Sequence, residues 1–185
     1  MPNFTKEAIK ATFLKQLNDK PLSQITVKSI VEECGINRNS FYYHFQDIPA
    51  LIEEMVTEEA DRIVREHPTV DSIETALKAA VDFAGKNRRA ILHIYQSVNR
   101  DIFEEHLWKV CGYVVDAYAE NALRKDPIGD FDREVISRFY KCAFFGTVIE
   151  WMNERMPADI QSRIDRLCEL QRGMSEEMIR RAQSK

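Results

Sequence analysis

The sequence contains few residues that interrupt helices, with only six glycines and six prolines among 185 residues. Residues that favour helices, such as Ala, Leu, Glu, Arg, Lys and Gln, are abundant instead. Hydrophobic residues make up 44% and charged residues 30% of the chain, which is typical of a globular protein and not of a disordered one. We therefore predict an all-α fold.

Long apolar runs are missing as well. No stretch of about 18 apolar residues is present, which excludes an ordinary membrane-spanning helix. The opening residues, MPNFTKEAIK, lack the apolar core of a secretory signal peptide. We therefore expect a protein without a membrane segment that stays in the cytoplasm.

Metal-binding and catalytic motifs are also missing. The four cysteines are far apart and form no CxxC pair, so in a reducing compartment they are expected to be small buried apolar residues. None of the four histidines follows a glutamate at the Glu-x-x-His spacing of di-iron bundles, and neither HExxH nor a glycine-rich phosphate loop occurs. We therefore predict no catalytic residue, no metal and no cofactor, and disfavour an enzyme.

An excess of positive charge, which many DNA-binding proteins carry, is lacking because the net charge is −4. The charge is nevertheless uneven. Residues 1–47 hold six basic and five acidic residues, a balance of +1, whereas the remaining residues hold 20 basic and 25 acidic ones, a balance of −5. A nearly neutral N-terminal segment on an acidic body is compatible with DNA binding and predicts modest non-specific affinity, because few phosphates can be neutralised.

Apolar spacing and capping residues predict four short helices before His67, followed by longer ones. Thr26 and Asn37 are suited to N-caps, and Gly35 is suited to ending the helix between them. The predicted helices cover residues 5–18, 27–34, 38–45, 48–66, 73–86, 89–96, 101–124, 131–156 and 158–181. Residues 139–152 are apolar nearly all round, so we expect one face of that helix to meet the core and the other a second subunit.

Two short helices joined by a turn at Gly35 have the layout of a helix-turn-helix, whose second helix enters the DNA major groove. Arg38 can give paired hydrogen bonds to guanine and Asn39 to adenine. Ser40 lies with them at the start of the helix. The longer side chains that follow have the reach for phosphates, as do the residues that begin the preceding helix. These phosphate-contacting candidates are Tyr42, Tyr43, His44, Thr26 and Lys28.

The segment ITVKSIVEECGINRNSFYYHFQDIPAL resembles the DNA-binding motif of the TetR family of transcriptional regulators. The matching elements are Thr26-Val27, Ile30-Val31, Gly35-Ile36, Phe41-Tyr42, His44-Phe45 and Leu51. The resemblance implies a homodimer with a DNA-binding head over residues 1–47 and a helical regulatory and dimerisation domain over residues 48–185. It implies DNA contacts from Thr26, Lys28, Asn37, Arg38, Asn39, Tyr42, Tyr43 and His44. The chain departs from the family pattern at two positions. Family members often have Gly where this chain has Asn39, and they commonly have Lys where it has Ile48.

The body offers candidates for two further sites. A pocket for a small hydrophobic or aromatic effector is predicted from Phe83, Tyr95, Phe103, Leu107, Trp108, Cys111, Tyr118, Phe139, Tyr140 and Phe144. A four-helix dimer interface is predicted from Ala143, Gly146, Ile149, Trp151, Ile164 and Leu167.

The resulting function is a sequence-specific regulator of a palindromic operator in double-stranded DNA, acting as a repressor that the effector releases. Two alternatives stay open. The segment FYKCAFFGTVIEWMNERMP resembles a TetR branch that includes an activator working through a protein co-regulator. The low charge of the head also allows a helical interaction or ligand-binding module without DNA binding.

Overall fold

The structure is a computed structural model that describes residues 4–66, 73–97, 100–123 and 128–184, without the side chains of residues 73–77, 79 and 121–123. All regular elements in these residues are helical, which confirms the all-α prediction. The α-helices are α1 Phe4–Asp19, α2 Val27–Cys34, α3 Arg38–His44, α4 Ile48–Glu66, α5 Ile73–Lys86, α6 Arg88–Tyr95, α7 Arg100–Leu123, α8 Asp130–Asn153, α9 Ile160–Gln171 and α10 Met174–Gln183. A short 3₁₀-helix, Leu22–Gln24, precedes α2.

The prediction of a single last helix over residues 158–181 is wrong. The structure has two helices there, separated at Gly173, whose backbone takes a positive φ of 84°. Glycine adopts this left-handed conformation without the steric cost that a Cβ would add. The apolar spacing continues across the break from Leu167 to Met174, so the periodicity hides it.

Residues 1–59 and 86–106 form one compact unit, here called the head unit. Helix α1 packs against α2, α3 and α6 within it. Its largest fully buried side chains are Ile9, Phe13, Leu17, Ile30, Phe41 and Leu51. Helix α6 is joined to α1 by a 2.7 Å contact between His93 Nδ1 and the Leu17 carbonyl oxygen.

An ion-pair cluster joins α1 to α4 inside the head unit. The Lys10 ammonium lies 2.7 Å from Glu54 and 2.6 Å from Glu58, and Lys6 lies 2.7 Å from Glu54. Burial acts to lower the pKa of Lys10, but the hydrogen bonds and charges of the two carboxylates hold it above its usual value. Burial likewise acts to raise the pKa of Glu54, and the two lysines hold it below its usual value.

Residues 60–85 and 107–185 form the other compact unit, here called the body unit. Ile63 and Tyr118 are buried together there, with Ala80 and Val114 packed against them. Cys111 is fully buried, and both Trp151 and Met152 are buried at the end of α8.

The outer face of α8 stays exposed within the single chain. Phe131 is 75% exposed, Val135 is 51% exposed and Phe139 is 48% exposed. Leu167, Leu170 and Met174 are exposed on α9 and α10 as well. One side of α8 therefore meets the core, while the covering of its other side by a second subunit stays a prediction.

No helix among the described residues is both long and apolar enough to cross a membrane. Within those same residues, no group of three or more His, Cys, Asp or Glu side chains is arranged to hold a metal ion.

Candidate nucleic-acid interface

Helix α2 begins at a reciprocal cap made by Thr26 and Ser29. The Thr26 hydroxyl oxygen accepts a hydrogen bond from the Ser29 N–H at 3.1 Å, and the Ser29 hydroxyl oxygen accepts one from the Thr26 N–H at 3.1 Å. A capping hydroxyl that accepts in this way still has its own proton to donate. The Thr26 hydroxyl can therefore cap the helix and, at the same time, donate a hydrogen bond to a phosphate oxygen.

Lys28 lies beside this cap in the first turn of α2. Its side chain is 77% exposed, and its ammonium is 3.7 Å from the Glu32 carboxylate. An exposed pair of this kind is weak, so the lysine remains able to approach a phosphate.

A buried amide fixes the back of α2 on α1. Gln16 is only 4% exposed. It donates to the Ser29 carbonyl oxygen at 3.0 Å and to the Glu33 carboxylate at 2.6 Å, while the Ser29 hydroxyl donates to Gln16 Oε1 at 2.9 Å. Gln16 and Ser29 were not among the predicted site residues. Of the two, only Ser29 could have been found from the sequence, because it lies three residues after the N-cap Thr26, where a side chain can complete the cap.

The turn between α2 and α3 follows the predicted capping residues closely. Gly35 ends α2 with a φ of 68°, and the Ile36 N–H donates to the Val31 carbonyl oxygen at 3.0 Å. Asn37 caps α3 through its Oδ1 atom, which accepts from the Ser40 N–H at 2.8 Å and from the Ser40 hydroxyl at 3.1 Å. The side chains of Asn37 and Ser40 thus hold each other at the start of α3.

Helix α3 has one buried and one exposed side. Phe41 is fully buried and Phe45 is 3% exposed, with their ring centroids 5.8 Å apart. Arg38, Asn39 and Tyr43 are exposed, and Tyr43 reaches 84%. The helix is therefore anchored by its two phenylalanines and offers polar side chains on its outer side.

Arg38 and Tyr42 lie one helical turn apart and contact each other. The Arg38 guanidinium donates to the Tyr42 hydroxyl at 3.2 Å and lies 5.6 Å from the centre of its ring. Tyr42 therefore holds the Arg38 side chain directly. The sequence assigns Arg38 to a base and Tyr42 to a phosphate and does not predict a contact between them. His44, half-buried at the end of α3, packs against Tyr43 with a centroid distance of 4.9 Å.

The predicted pocket residues divide between the two units. Tyr95 and Phe103 belong to the head unit, where both are buried and their rings pack edge to face at 6.2 Å. The body unit contains Phe83, Leu107, Trp108, Cys111, Tyr118, Phe139, Tyr140 and Phe144. Within that unit Trp108 packs edge to face against Phe145 at 5.2 Å, while Phe139 is about half-exposed.

The predicted dimer residues differ in exposure. Ala143, Gly146 and Leu167 are exposed, and Ile149 is half-buried. Trp151 and Ile164 are buried inside the body unit itself, and the Trp151 indole N–H donates to the Pro157 carbonyl oxygen at 3.1 Å. Phe131 and Val135 extend the exposed face of α8 and were not in the predicted set.

Comparison with known proteins gives matches along most of the chain. The family model described as bacterial regulatory proteins, tetR family, matches residues 11–55 and so includes α2 and α3. The model described as transcriptional regulator C-terminal region, of the TetR type, matches residues 71–173. No curated protein sequence matches the chain.

A solved structure titled dihydroxyacetone kinase operon activator DhaS has a similar fold. The TM-score is 0.70 at 17% sequence identity, and the match covers 90% of this chain and 95% of that one.

Proposed function

This chain belongs to the tetR family of DNA-binding bacterial regulatory proteins, and from that premise we propose that it is a repressor that a small-molecule effector releases from its operator. The observation that supports specific DNA reading is the arrangement of α3. Phe41 and Phe45 hold the helix from behind, and Arg38 and Asn39 are exposed at its first turn. The N-terminal residues of a recognition helix are those that meet base edges in the major groove.

The proposed regulator acts in the cytoplasm as a homodimer on a palindromic operator. Two-fold symmetry presents α3 twice, and binding to successive major grooves requires the two copies to be about 34–36 Å apart or a multiple of that distance. An effector that favours another spacing shifts the population away from DNA, by no more than its differential affinity for the two states. The exposed apolar face of α8 supports the dimer, because covering it removes apolar surface from water.

Within each half-site we assign Arg38 and Asn39 to bases, and Thr26, Lys28, Tyr42, Tyr43 and His44 to phosphates. Asn37 and Ser40 are assigned to the start of α3, where their mutual hydrogen bonds keep the two base-reading residues in place. Base contacts specify sequence, whereas phosphate contacts fix the protein on the duplex.

The test is a binding-site selection with the wild type, Arg38→Ala, Asn39→Ala and Tyr43→Phe. Losing a base contact should cost about 1–3 kcal/mol and relax the preference at one position of each half-site. Tyr43→Phe removes only a hydroxyl and should weaken all sequences about equally. Because Lys28 carries a charge, Lys28→Ala should also reduce the dependence of affinity on salt by about one unit of slope.

The assignment fails if both alanine variants keep the wild-type consensus while Tyr43→Phe changes it. In that case the base-reading face of α3 is rotated from the one assigned. Binding to DNA that is insensitive to salt and to sequence in all four proteins would instead favour an interaction module without operator recognition.

A second candidate is an activator controlled by a protein partner. Its support is the fold shared with a solved structure whose title names an operon activator. A reporter gene placed behind the selected operator, in cells that express only this chain, separates the two functions. A repressor lowers expression without any further protein, whereas an activator that needs a partner leaves it unchanged until the partner is supplied.

A further inference from the structure

Lys141 on α8 occupies an unusual place inside the body unit. Its ammonium lies over the ring of Trp108 on α7, 4.0 Å from the ring centre. A Cβ atom at Gly112, one turn further along α7, would lie only 2.9 Å from the Lys141 nitrogen. The missing side chain at Gly112 therefore provides the space that the ammonium occupies against the tryptophan.

The described residues supply no carboxylate to Lys141. The nearby thiol of Cys111 does not take that role, because burial raises its pKa to about 12 although the charge of Lys141 acts in the opposite direction. A neutral thiol gives the ammonium no counter-charge. A cation over an aromatic face gains some attraction, but a half-buried cation without an anion still loses part of its hydration.

Arg133, two turns earlier on the same helix, is a second cation with a buried nitrogen, Nε, that lacks a hydrogen-bond partner among the described residues. Eight residues of helix correspond to a rise of about 12 Å, and both side chains leave α8 on its half-buried side. The residues after position 47 carry five more acidic than basic residues, so carboxylates are plentiful. Even so, the described residues give Lys141 no ion pair and give Arg133 Nε no hydrogen-bond partner.

We propose that Lys141 and Arg133 form the acid-binding part of an effector site in the body unit, and that the effector is an aromatic carboxylic acid. Its carboxylate binds the Lys141 ammonium, its ring packs against Trp108 and Phe145, and Arg133 binds a second polar group at the far end. This inference rests on the proposed control by an effector. It selects an acid because the Lys141 ammonium and the Arg133 Nε atom, both without an anion or acceptor among the described residues, lie on the half-buried side of α8. It selects an aromatic acid because rings lie beside Lys141.

The test measures binding of 2-naphthoate and of 2-naphthamide by calorimetry. The two probes have the same ring and nearly the same shape but differ in charge. The wild type should prefer the acid by about 10- to 100-fold, as expected for one hydrogen bond between charged groups. Lys141→Met should remove this preference, and Lys141→Arg should keep most of it because the charge remains.

Two further variants guard against a merely structural effect. Arg138→Met removes one charge from the outer side of the same helix, where the side chain is 75% exposed, and should leave the preference intact. Gly112→Ala places a methyl group against the Lys141 ammonium on a helix that tolerates alanine well. It should weaken binding of the acid and not of the amide, with a melting temperature no lower than that of the wild type.

The proposal is overturned if the wild type binds acid and amide equally, or if the preference survives in both Lys141→Met and Gly112→Ala. It is also overturned if none of benzoate, 3-phenylpropanoate and 2-naphthoate binds at millimolar concentration. Operator titrations separate this result from the proposed function. Intact, salt-dependent operator binding without any acid preference rejects the site alone, whereas acid binding that leaves operator affinity unchanged rejects effector control alone.

Discussion

The two units of this protein bury their apolar residues to different extents. The largest fully buried side chains of the described residues are Phe13, Phe41, Ile9, Leu17, Ile30, Leu51 and Cys111, and all but Cys111 belong to the head unit. The body unit instead leaves phenylalanine and leucine side chains of α8 and α9 exposed. The head unit therefore has the larger internally packed core, while α8 and α9 of the body unit present an apolar face that another surface would cover.

The exposed aromatic residues of α3 and α8 differ in chemistry as well. On α3 they are Tyr42 and Tyr43, whose hydroxyl groups suit a polar partner such as a phosphate. On α8 they are Phe131 and Phe139, which offer only apolar surface. Helix α3 therefore exposes side chains that a nucleic acid can bind, and α8 exposes side chains that a second protein surface can bind.

The largest expected effect comes from charging the exposed face of α8. Gly146→Arg adds a long cation where a Cβ meets nothing within 4 Å, so the fold of the single chain should tolerate it. If that face forms the dimer, sedimentation should show monomers. Operator affinity should fall by about 5 kcal/mol or more, because one of the two half-sites is lost.

Gly85→Arg is the matched control for this prediction. Gly85 is also helical, exposed and free of neighbours within 4 Å of an added Cβ, but it lies on α5. This variant should stay dimeric and bind the operator. A wild type that is already monomeric at micromolar concentration would show that the apolar face of α8 is not the dimer interface.

The second prediction compares a buried phenylalanine of the head unit with an exposed phenylalanine of α8. Phe41→Ala should lower the free energy of unfolding by about 3–5 kcal/mol, since it empties a fully buried site in the head unit. Phe131→Ala, measured in the monomeric Gly146→Arg background, should change it by less than about 0.5 kcal/mol. Chemical denaturation gives both values, and equal losses would contradict the difference in burial.

The smallest effect concerns the ion-pair cluster of the head unit. Lys10→Met should cost about 1 kcal/mol at neutral pH, because the carboxylates it leaves behind are partly exposed. The pKa of Glu54 is held below its ordinary value of 4.5, so its stabilising contribution is present above that pH and is lost as the pH falls through the lower folded-state value. The pKa of Lys10 is raised, so its contribution disappears only above 10.5.

The difference in unfolding free energy between wild type and Lys10→Met should therefore shrink from pH 7 to pH 3. Lys28→Met, at an exposed lysine of the same unit that meets a single carboxylate at 3.7 Å, should show a much smaller change between the two pH values. A Lys10→Met difference that is constant from pH 7 to pH 3 would mean that the cluster does not stabilise the folded head.

Much of the head unit was predictable from the sequence because its capping and anchoring residues act over short distances along the chain. Thr26, Gly35 and Asn37 cap and end helices through atoms within a few residues of themselves, so their roles can be read from short stretches of sequence. The anchoring of α3 by Phe41 and Phe45 follows from one turn of helix in the same way. The family models agree with this part of the chain and with the body beyond it.

Other features depended on residues that are distant in the chain. Nothing near Gln16 indicates that it joins Ser29 and Glu33, and nothing near His93 indicates that α6 packs against α1. The break at Gly173 was missed because apolar spacing continues through it, and only the backbone φ reveals it.

The sequence by itself determined the helical class, the helix boundaries of the head and the two sides of α3, because helix periods and caps act over four residues or fewer. Only the tertiary structure decided which charged groups find partners. Lys10 and Lys141 are both lysines on helices, but Lys10 meets two carboxylates of α4, whereas Lys141 meets the ring of Trp108. The surroundings of a side chain depend on which helices approach it, and that is set by packing across the whole unit.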